Sequence, residues 1–231
     1  ALYFFVMNHS PKNPSWEGRD RFVLSKGHAA PALYAALAHA GYFEREELFT
    51  LRELGSRLQG HPARGSPPGV EVSTGSLGQG LSMACGIAMA LKLDSIDARV
   101  YALLGDGEVQ EGLIWEAAMN AAHRHLDNLC AIIDHNNLQI DGTVEEIKGI
   151  EPLKDKWQAF KWEVLPVDGH DFKSLLNAFD AAKKVKGKPS IIIAKTVKGK
   201  GVKIFENKVE YHGVAPTDEE LKIALSELGA T

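Results

Sequence analysis

Apolar residues along this chain fall into two kinds of segment that alternate. Short continuous apolar runs occur at Val100-Tyr101-Ala102-Leu103-Leu104, at Leu129-Cys130-Ala131-Ile132-Ile133, from Trp162 to Val167, and at Ser190-Ile191-Ile192-Ile193-Ala194. Unbroken apolar runs of this length are the mark of strands buried on both faces of a parallel sheet. Segments with helical spacing lie between them: Gly112 to about His125, Pro152 to Phe160, and Phe172 to Val185. Strand, helix and strand from Val100 to Asn137 make a βαβ unit, whose right-handed crossover brings both strand ends to one sheet edge. The pattern predicts an α/β fold, a mainly parallel sheet with helices on both faces, with residues 1–231 as one domain.

The first hundred residues add Asn8 to Arg21 as loop and Phe22-Val23-Leu24 as a short strand or extended segment. Pro31 to Ala40 reads as a helix, with Pro in its first turn and Gly41 at its end. Glu44 to Leu54 has the spacing of an amphipathic helix with a solvated charged face. Leu77 to Leu93 is apolar nearly all round and rich in Gly and Ala, which predicts a buried helix that also offers a close-packing face to another subunit. Thr217 to Leu228 closes the chain as a helix, with Thr217 and Glu220 placed for a capping box.

Composition narrows the class. A chain of 231 residues that is 45% hydrophobic can bury a sizeable core. With 26 basic against 30 acidic side chains and a net charge of −4, it lacks the basic footprint of a nucleic-acid binder. The longest greasy stretch, Leu81 to Leu93, is too short to span a bilayer and contains Lys92. Cys85 and Cys130 sit inside apolar segments without metal-ligand spacing, as buried thiols do in a reducing compartment. With no signal peptide visible, the expected location is cytoplasmic. The opening run Ala1 to Met7 reads as the end of a helix that begins upstream, so the sequence is expected to be a trimmed fragment.

The strand ends carry the chemistry. Gly105-Asp106-Gly107 follows one apolar run and Asp134-His135-Asn136-Asn137 the next. Asp106 and Asn136 are hard oxygen donors that suit a Mg²⁺ ion shared with a phosphate, since Mg²⁺ usually takes one or two carboxylates and leaves places for phosphate and water. Glycines beside Asp106 let backbone N–H groups approach phosphate oxygens. A tight turn and an Asn-rich loop would explain either motif alone, but not the pair placed one crossover apart. Lys195-Thr196-Val197-Lys198-Gly199-Lys200-Gly201 superficially suggests a phosphate loop, yet it lacks the Walker A order and a following helix. His28 precedes a helix, His61 lies in a Gly-His-Pro loop, and Glu111 opens a helix where its charge favours the dipole.

The pairing resembles the thiamine-diphosphate signature, GDG followed by N or NN after one helix and one strand. Here 28 residues separate Gly107 from Asn136. The fuller text, GDGEVQEGLIWEAAMNAA and IIDHNNLQIDG with SKGHAAPALYAALAHAGY, GHP and GVEVSTGSLGQG, is most similar to transketolase over essentially the whole chain. That resemblance implies thiamine diphosphate, with Mg²⁺ (or Ca²⁺ or Mn²⁺) held by Asp106, the Asn136 side chain and the Leu138 carbonyl. It implies Gly107 at the diphosphate, Glu108 as a further cofactor-binding residue, the Gly75 backbone on the aminopyrimidine, and Leu77 packed against it. His28 would line the cofactor cleft, His61 would contact the sugar donor, and His212, in Tyr211-His212-Gly213, would lie near diphosphate and substrate. Glu111 matches a Glu implicated in communication between paired active sites. Ser76 departs from the Pro commonest in single-chain members and is read as a subfamily mark.

By the same resemblance the chain is only the first, diphosphate-binding part of a transketolase. The pyrimidine-binding domain and its activating Glu would sit on a separate C-terminal subunit, in a heterotetramer with two copies of each chain. The implied reaction is ketol transfer between sugar phosphates, as in the pentose phosphate pathway. Alternatives are a 2-oxo-acid dehydrogenase α-like or deoxyxylulose phosphate synthase-like subunit, and a non-catalytic cofactor-binding subunit. The first two share GDG and NN but not SKGHAAPALY, GHP and STGSLGQG together; intact Asp106, Asn136 and histidines argue against the third.

Overall fold

The computed structural model describes residues 1–230. Its centre is a five-stranded, all-parallel sheet of β1 (Arg21–Leu24), β2 (Val100–Gly105), β3 (Leu129–His135), β6 (Glu163–Asp168) and β7 (Ser190–Lys195), in the spatial order β1-β2-β3-β7-β6. A separate small hairpin, β4 (Leu138–Gln139) with β5 (Gly142–Thr143), follows the Asn pair. The helices of the crossovers are α1 (Ala30–His39), α2 (Gln79–Leu93), α3 (Gly112–His123), α4 (Val144–Lys148), α5 (Leu153–Ala159) and α6 (Phe172–Lys184). A final helix, α7 (Asp218–Glu227), follows the sheet, and Thr217 with Glu220 closes both halves of its capping box.

Side chains alternate across each strand, so the sheet builds two cores. One face buries Val23, Ala102, Leu104, Ala131 and Ile133 against α2, α3 and Trp157 of α5. The other buries Phe22, Leu24, Tyr101, Cys130 and Ile192 against α1 and α6. Both cysteines are free and buried. No helix among the described residues is long and apolar enough to cross a membrane. Every strand of the sheet runs the same way, so all five carboxyl ends meet at one edge.

Two predicted elements differ, and one left open between strand and extended segment is settled. Phe22-Val23-Leu24 is a full edge strand, paired in register with β2 from Arg21↔Val100 to Leu24↔Leu103. Glu44 to Leu54 is not an α-helix but a 3-10 segment, Arg45–Thr50. Leu51 leaves the helical region (ψ 123°) and Arg52 adopts φ 65°, which stops the helix, and Glu47 pairs with Arg57 to fold the segment back. Helix α2 is buried on one face only: Gly80, Leu81, Ala84, Cys85, Ala88 and Leu91 pack inward, while Ser82, Gly86, Ala90 and Lys92 are exposed.

Candidate active site

A cleft of about 670 Å³ opens at the carboxyl edge of the sheet. All eleven residues singled out from the sequence line it: His28, His61, Gly75, Leu77, Asp106, Gly107, Glu108, Glu111, Asn136, Leu138 and His212. They come from six separate stretches of chain, and the parallel topology gathers them. The end of β6 goes elsewhere. Asp168 and His170 line a neighbouring groove together with Lys195, so the strand ends share an edge without sharing one cavity.

Asp106 forms the floor, with only 2% of its surface exposed. Its Oδ1 accepts the Gly107 amide at 2.9 Å, and its Oδ2 accepts the Asn137 amide at 2.5 Å. Two successive strand ends are thereby tied through one carboxylate. No lysine or arginine lies within ion-pair distance of it among the described residues; its ionisable neighbour is His135, whose Nδ1 is 3.5 Å from Oδ2. The nearby Asp106 carboxylate, opposed by burial and aided by Glu151, holds the His135 imidazole above its ordinary range. The β4–β5 hairpin closes over this floor, for a β-carbon at Gly107 would lie 3.2 Å from Gln139 Cβ.

Asn136 is oriented from behind. Its Oδ1 accepts the Leu138 amide at 2.9 Å and its Nδ2 faces Asp134 Oδ2 at 3.3 Å. Asp134 accepts in turn from Lys26 Nζ at 2.7 Å and from Thr196 Oγ1 at 2.5 Å. Burial acts to raise the Asp134 carboxyl, but Lys26 and the hydrogen bonds outweigh it and hold it below the usual carboxylate range. Glu108 works as a staple. Its carboxylate accepts Ser25 Oγ at 2.5 Å, the Gly78 amide at 2.9 Å and the Gly105 amide at 3.1 Å. It joins the ends of β1 and β2 to the start of α2, and burial pushes its carboxyl up despite those bonds.

The histidines occupy the other wall. His28 and His212 face each other with ring centroids 5.1 Å apart. Desolvation first, then the charges of Lys26, His212, His61 and Lys198, push His28 down to about 4. Desolvation, Lys198 and Lys26 lower His212 as well. Each is an uncharged imidazole at neutral pH, able to give or take a proton at a ring nitrogen. His212 ends a short 3-10 turn, Val209–His212, and Tyr211 beside it donates to Glu220, the same residue that caps α7. His61 is exposed, but its backbone carbonyl accepts from the buried Tyr34 hydroxyl at 3.3 Å. Glu111 is the N-cap residue of α3 without a side-chain cap bond, and its side chain faces the cleft instead.

Sequence reasoning missed Lys26, Asp134 and Lys198. Lys198 belongs to the KTVKGKG loop set aside for lacking Walker A order, yet it reaches the cleft and is lowered by desolvation and by Lys26. The signal was a lysine-rich segment directly after a core strand.

Residues 1–231 match the family model for the transketolase thiamine diphosphate binding domain. The chain belongs to the transketolase family. It is 49% identical over 228 residues to the 6-deoxy-6-sulfo-D-fructose transketolase subunit SqwG of a Clostridium species, covering 99% of this chain and 83% of that one. It is 46% identical to an apulose-4-phosphate transketolase subunit of Phocaeicola vulgatus, with 99% and 81% covered. Among solved structures, the transketolase of Campylobacter jejuni superposes with a TM-score of 0.91 at 40% identity, and that of Leishmania mexicana with 0.92 at 35%. The chain spans 37% and 36% of those two proteins, against about four-fifths of the subunits. Transketolase membership separates it from the dehydrogenase and synthase alternatives, and the naming of these relatives as subunits implies a partner chain.

Proposed function

We propose that this chain is the diphosphate-binding subunit of a split transketolase, which transfers a two-carbon glycolaldehyde unit from a ketose to an aldose. The observation that carries this reading is the single cleft that holds a buried carboxylate without a lysine or arginine partner on its floor and two neutral histidines on one wall. The donor set fits a hard divalent ion. Asp106 offers one carboxylate with no lysine or arginine to neutralise it, Asn136 an amide oxygen and Leu138 a carbonyl, and Mg²⁺, Ca²⁺ or Mn²⁺ accepts such oxygens. Lys198, with His28 and His212 beside it, suits the diphosphate. Thiamine diphosphate, when bound, supplies the nucleophile and electron sink for breaking and making the carbon–carbon bond.

The chain's own residues bind, orient and move protons. Gly107 admits the diphosphate and Glu108 fixes the turn that carries it. Gly75 and Leu77 form the seat for the aminopyrimidine. His28 and His212 exchange protons with the sugar oxygens, and His61 orients the donor. Glu111 at the cleft rim is placed to meet a second subunit. That partner carries the pyrimidine-binding domain, in an assembly with two copies of each chain. The relatives named above act on a sulfo-sugar and a sugar phosphate, so the substrate is read as a ketose with a terminal oxyanion.

The deciding assay mixes the purified chain with its partner subunit, thiamine diphosphate and Mg²⁺, and offers phosphorylated and sulfonated ketoses with an aldose acceptor. Ketol transfer by the mixture and none by the chain alone is the expected result. Silence of the mixture on every ketose overturns the reading.

A further inference from the structure

His170 has no assigned task. It stands outside the cleft, exposed in the neighbouring groove at the end of β6. Its Nε2 nevertheless accepts the Val197 amide at 2.7 Å, from 27 positions further along the chain. A backbone amide only donates, so Nε2 is the bare ring nitrogen and the ring proton sits on Nδ1. Val197 directly precedes Lys198, and Lys198 lines the cofactor cleft.

Lys198 needs holding. Desolvation and the charge of Lys26 disfavour its ammonium in the cleft, and Asp134 is the opposing attraction. Asp134 is already engaged by Lys26 at 2.7 Å, and Lys198 makes no ion pair among the described residues. On a free backbone, a flexible four-carbon stem would turn such a charge out to water. This backbone is not free. The Lys198 carbonyl accepts the Asn207 amide at 2.9 Å, and Thr196 Oγ1 donates to Asp134 Oδ1 at 2.5 Å. His170 holds the Val197 amide between those two anchors. The backbone that carries the imidazole is itself fixed. Asp168 Oδ1 accepts the His170 amide at 2.9 Å, and the Gly169 amide donates to the Lys195 carbonyl at 2.8 Å. A β-carbon at Gly169 would fall 2.5 Å from Thr196 Cγ2, and this glycine has no left-handed φ. Its missing side chain therefore serves the close approach of the β6 and β7 ends, which brings the imidazole to the loop.

We propose that His170 is a positioning residue, which from outside the cleft fixes the 196–201 loop so that the Lys198 ammonium meets the cofactor's diphosphate. The inference rests on the ketol-transfer reading above, through its placement of thiamine diphosphate. Lys198 would touch the anion, and His170 acts only through it. What the loop requires of position 170 is an acceptor at the reach of Nε2. A glutamine supplies one in its side-chain carbonyl, and a phenylalanine of similar size supplies none.

The test uses the two-subunit complex, as wild type and with His170→Phe, His170→Gln, Lys198→Met, and His170→Phe together with Lys198→Met. Hydrogen-exchange mass spectrometry on the cofactor-free complex reads the 193–202 segment, and calorimetry reads the affinity for thiamine diphosphate with Mg²⁺. His170→Phe is expected to speed exchange of that segment and to weaken cofactor binding, each by about three- to tenfold, the worth of one hydrogen bond. Exchange in β3 should stay as in the wild type, and His170→Gln should restore most of both losses. In the Lys198→Met background, His170→Phe should cost less than about twofold more, because two residues that act as one unit are not additive. Unchanged exchange or affinity in His170→Phe, a His170→Gln complex no better than His170→Phe, fully additive losses, or lost protection in β3 each overturns the assignment and leaves the ketol-transfer reading standing. A wild-type complex that binds no thiamine diphosphate overturns both. A complex that meets every expectation but transfers nothing from any ketose sinks the ketol-transfer reading alone.

Discussion

His28 and His212, 184 positions apart in sequence, lie with ring centroids 5.1 Å apart and planes tilted by 32°. Neither ring tolerates a charge well beside the other and beside Lys26 and Lys198. Between about pH 4, where His28 titrates when folded, and 6.5, its ordinary value, the unfolded chain binds more protons than the folded one. Stability therefore rises with pH across that window and is lost as pH falls through it. His28→Ala removes this contribution, so the fall in Tm from pH 7 to pH 4.5 should be smaller in the variant than in the wild type. An identical fall in both proteins would refute the lowered imidazole.

Asp106→Asn keeps the size of the side chain and an oxygen for the Asn137 amide, but removes the charge. Truncation of groups that merely support metal ligands costs about 10- to 100-fold in affinity. Loss of the carboxylate ligand itself should exceed this, seen as a weakening of Mg²⁺-dependent thiamine diphosphate binding by more than about 100-fold in calorimetry on the complex. Unchanged affinity would remove Asp106 from the metal site.

His61→Ala separates function from folding. The side chain is exposed, and the contact that anchors this loop, Tyr34 to the His61 carbonyl, is made by backbone and survives the substitution. Tm should stay within a few degrees while activity of the complex falls by about 10²-fold or more. His212→Ala, with its ring in the cleft wall, should lose activity by a similar factor. A collapse of Tm with His61→Ala would mark that residue as structural instead.

Much of this was legible because parallel strands buried on both faces are continuous apolar runs, and Val100–Leu104, Leu129–Ile133 and Ser190–Ala194 announce themselves. Their ends follow the strand phase, which is why Asp106 and Asn136 pair on sequence alone. What failed was set by contacts distant in sequence. The spacing of Glu44 to Leu54 is helical, yet Phe49 and Leu54 end up exposed because Arg57 draws Glu47 back and Arg52 turns left-handed. The two-residue strands of the 138–143 hairpin are too short to show any period. The motif of Glu108 puts it at the cleft, but its bonds to Ser25, Gly78 and Gly105 join three elements that only the fold assembles.

Gly86 gives the last prediction, on assembly. It sits in the middle of α2 on the exposed face, has no left-handed φ, and a β-carbon there would meet no atom within 4 Å. Nothing among the described residues needs glycine at that position, and mid-helix glycine costs about 1 kcal/mol against alanine. Beside it on the same open face lie Ser82 and Ala90, also exposed. A face of small residues lets another helix approach closely, and its use falls to a surface outside this chain. Gly86→Ala should therefore stabilise the isolated chain by about 0.5–1 kcal/mol, read as a higher Tm. Gly86→Leu should leave the isolated chain folded, with an unchanged far-UV circular dichroism spectrum, yet prevent co-elution with the partner subunit and abolish ketol transfer. A Gly86→Leu chain that assembles and turns over like the wild type would show that α2 faces solvent in the working enzyme.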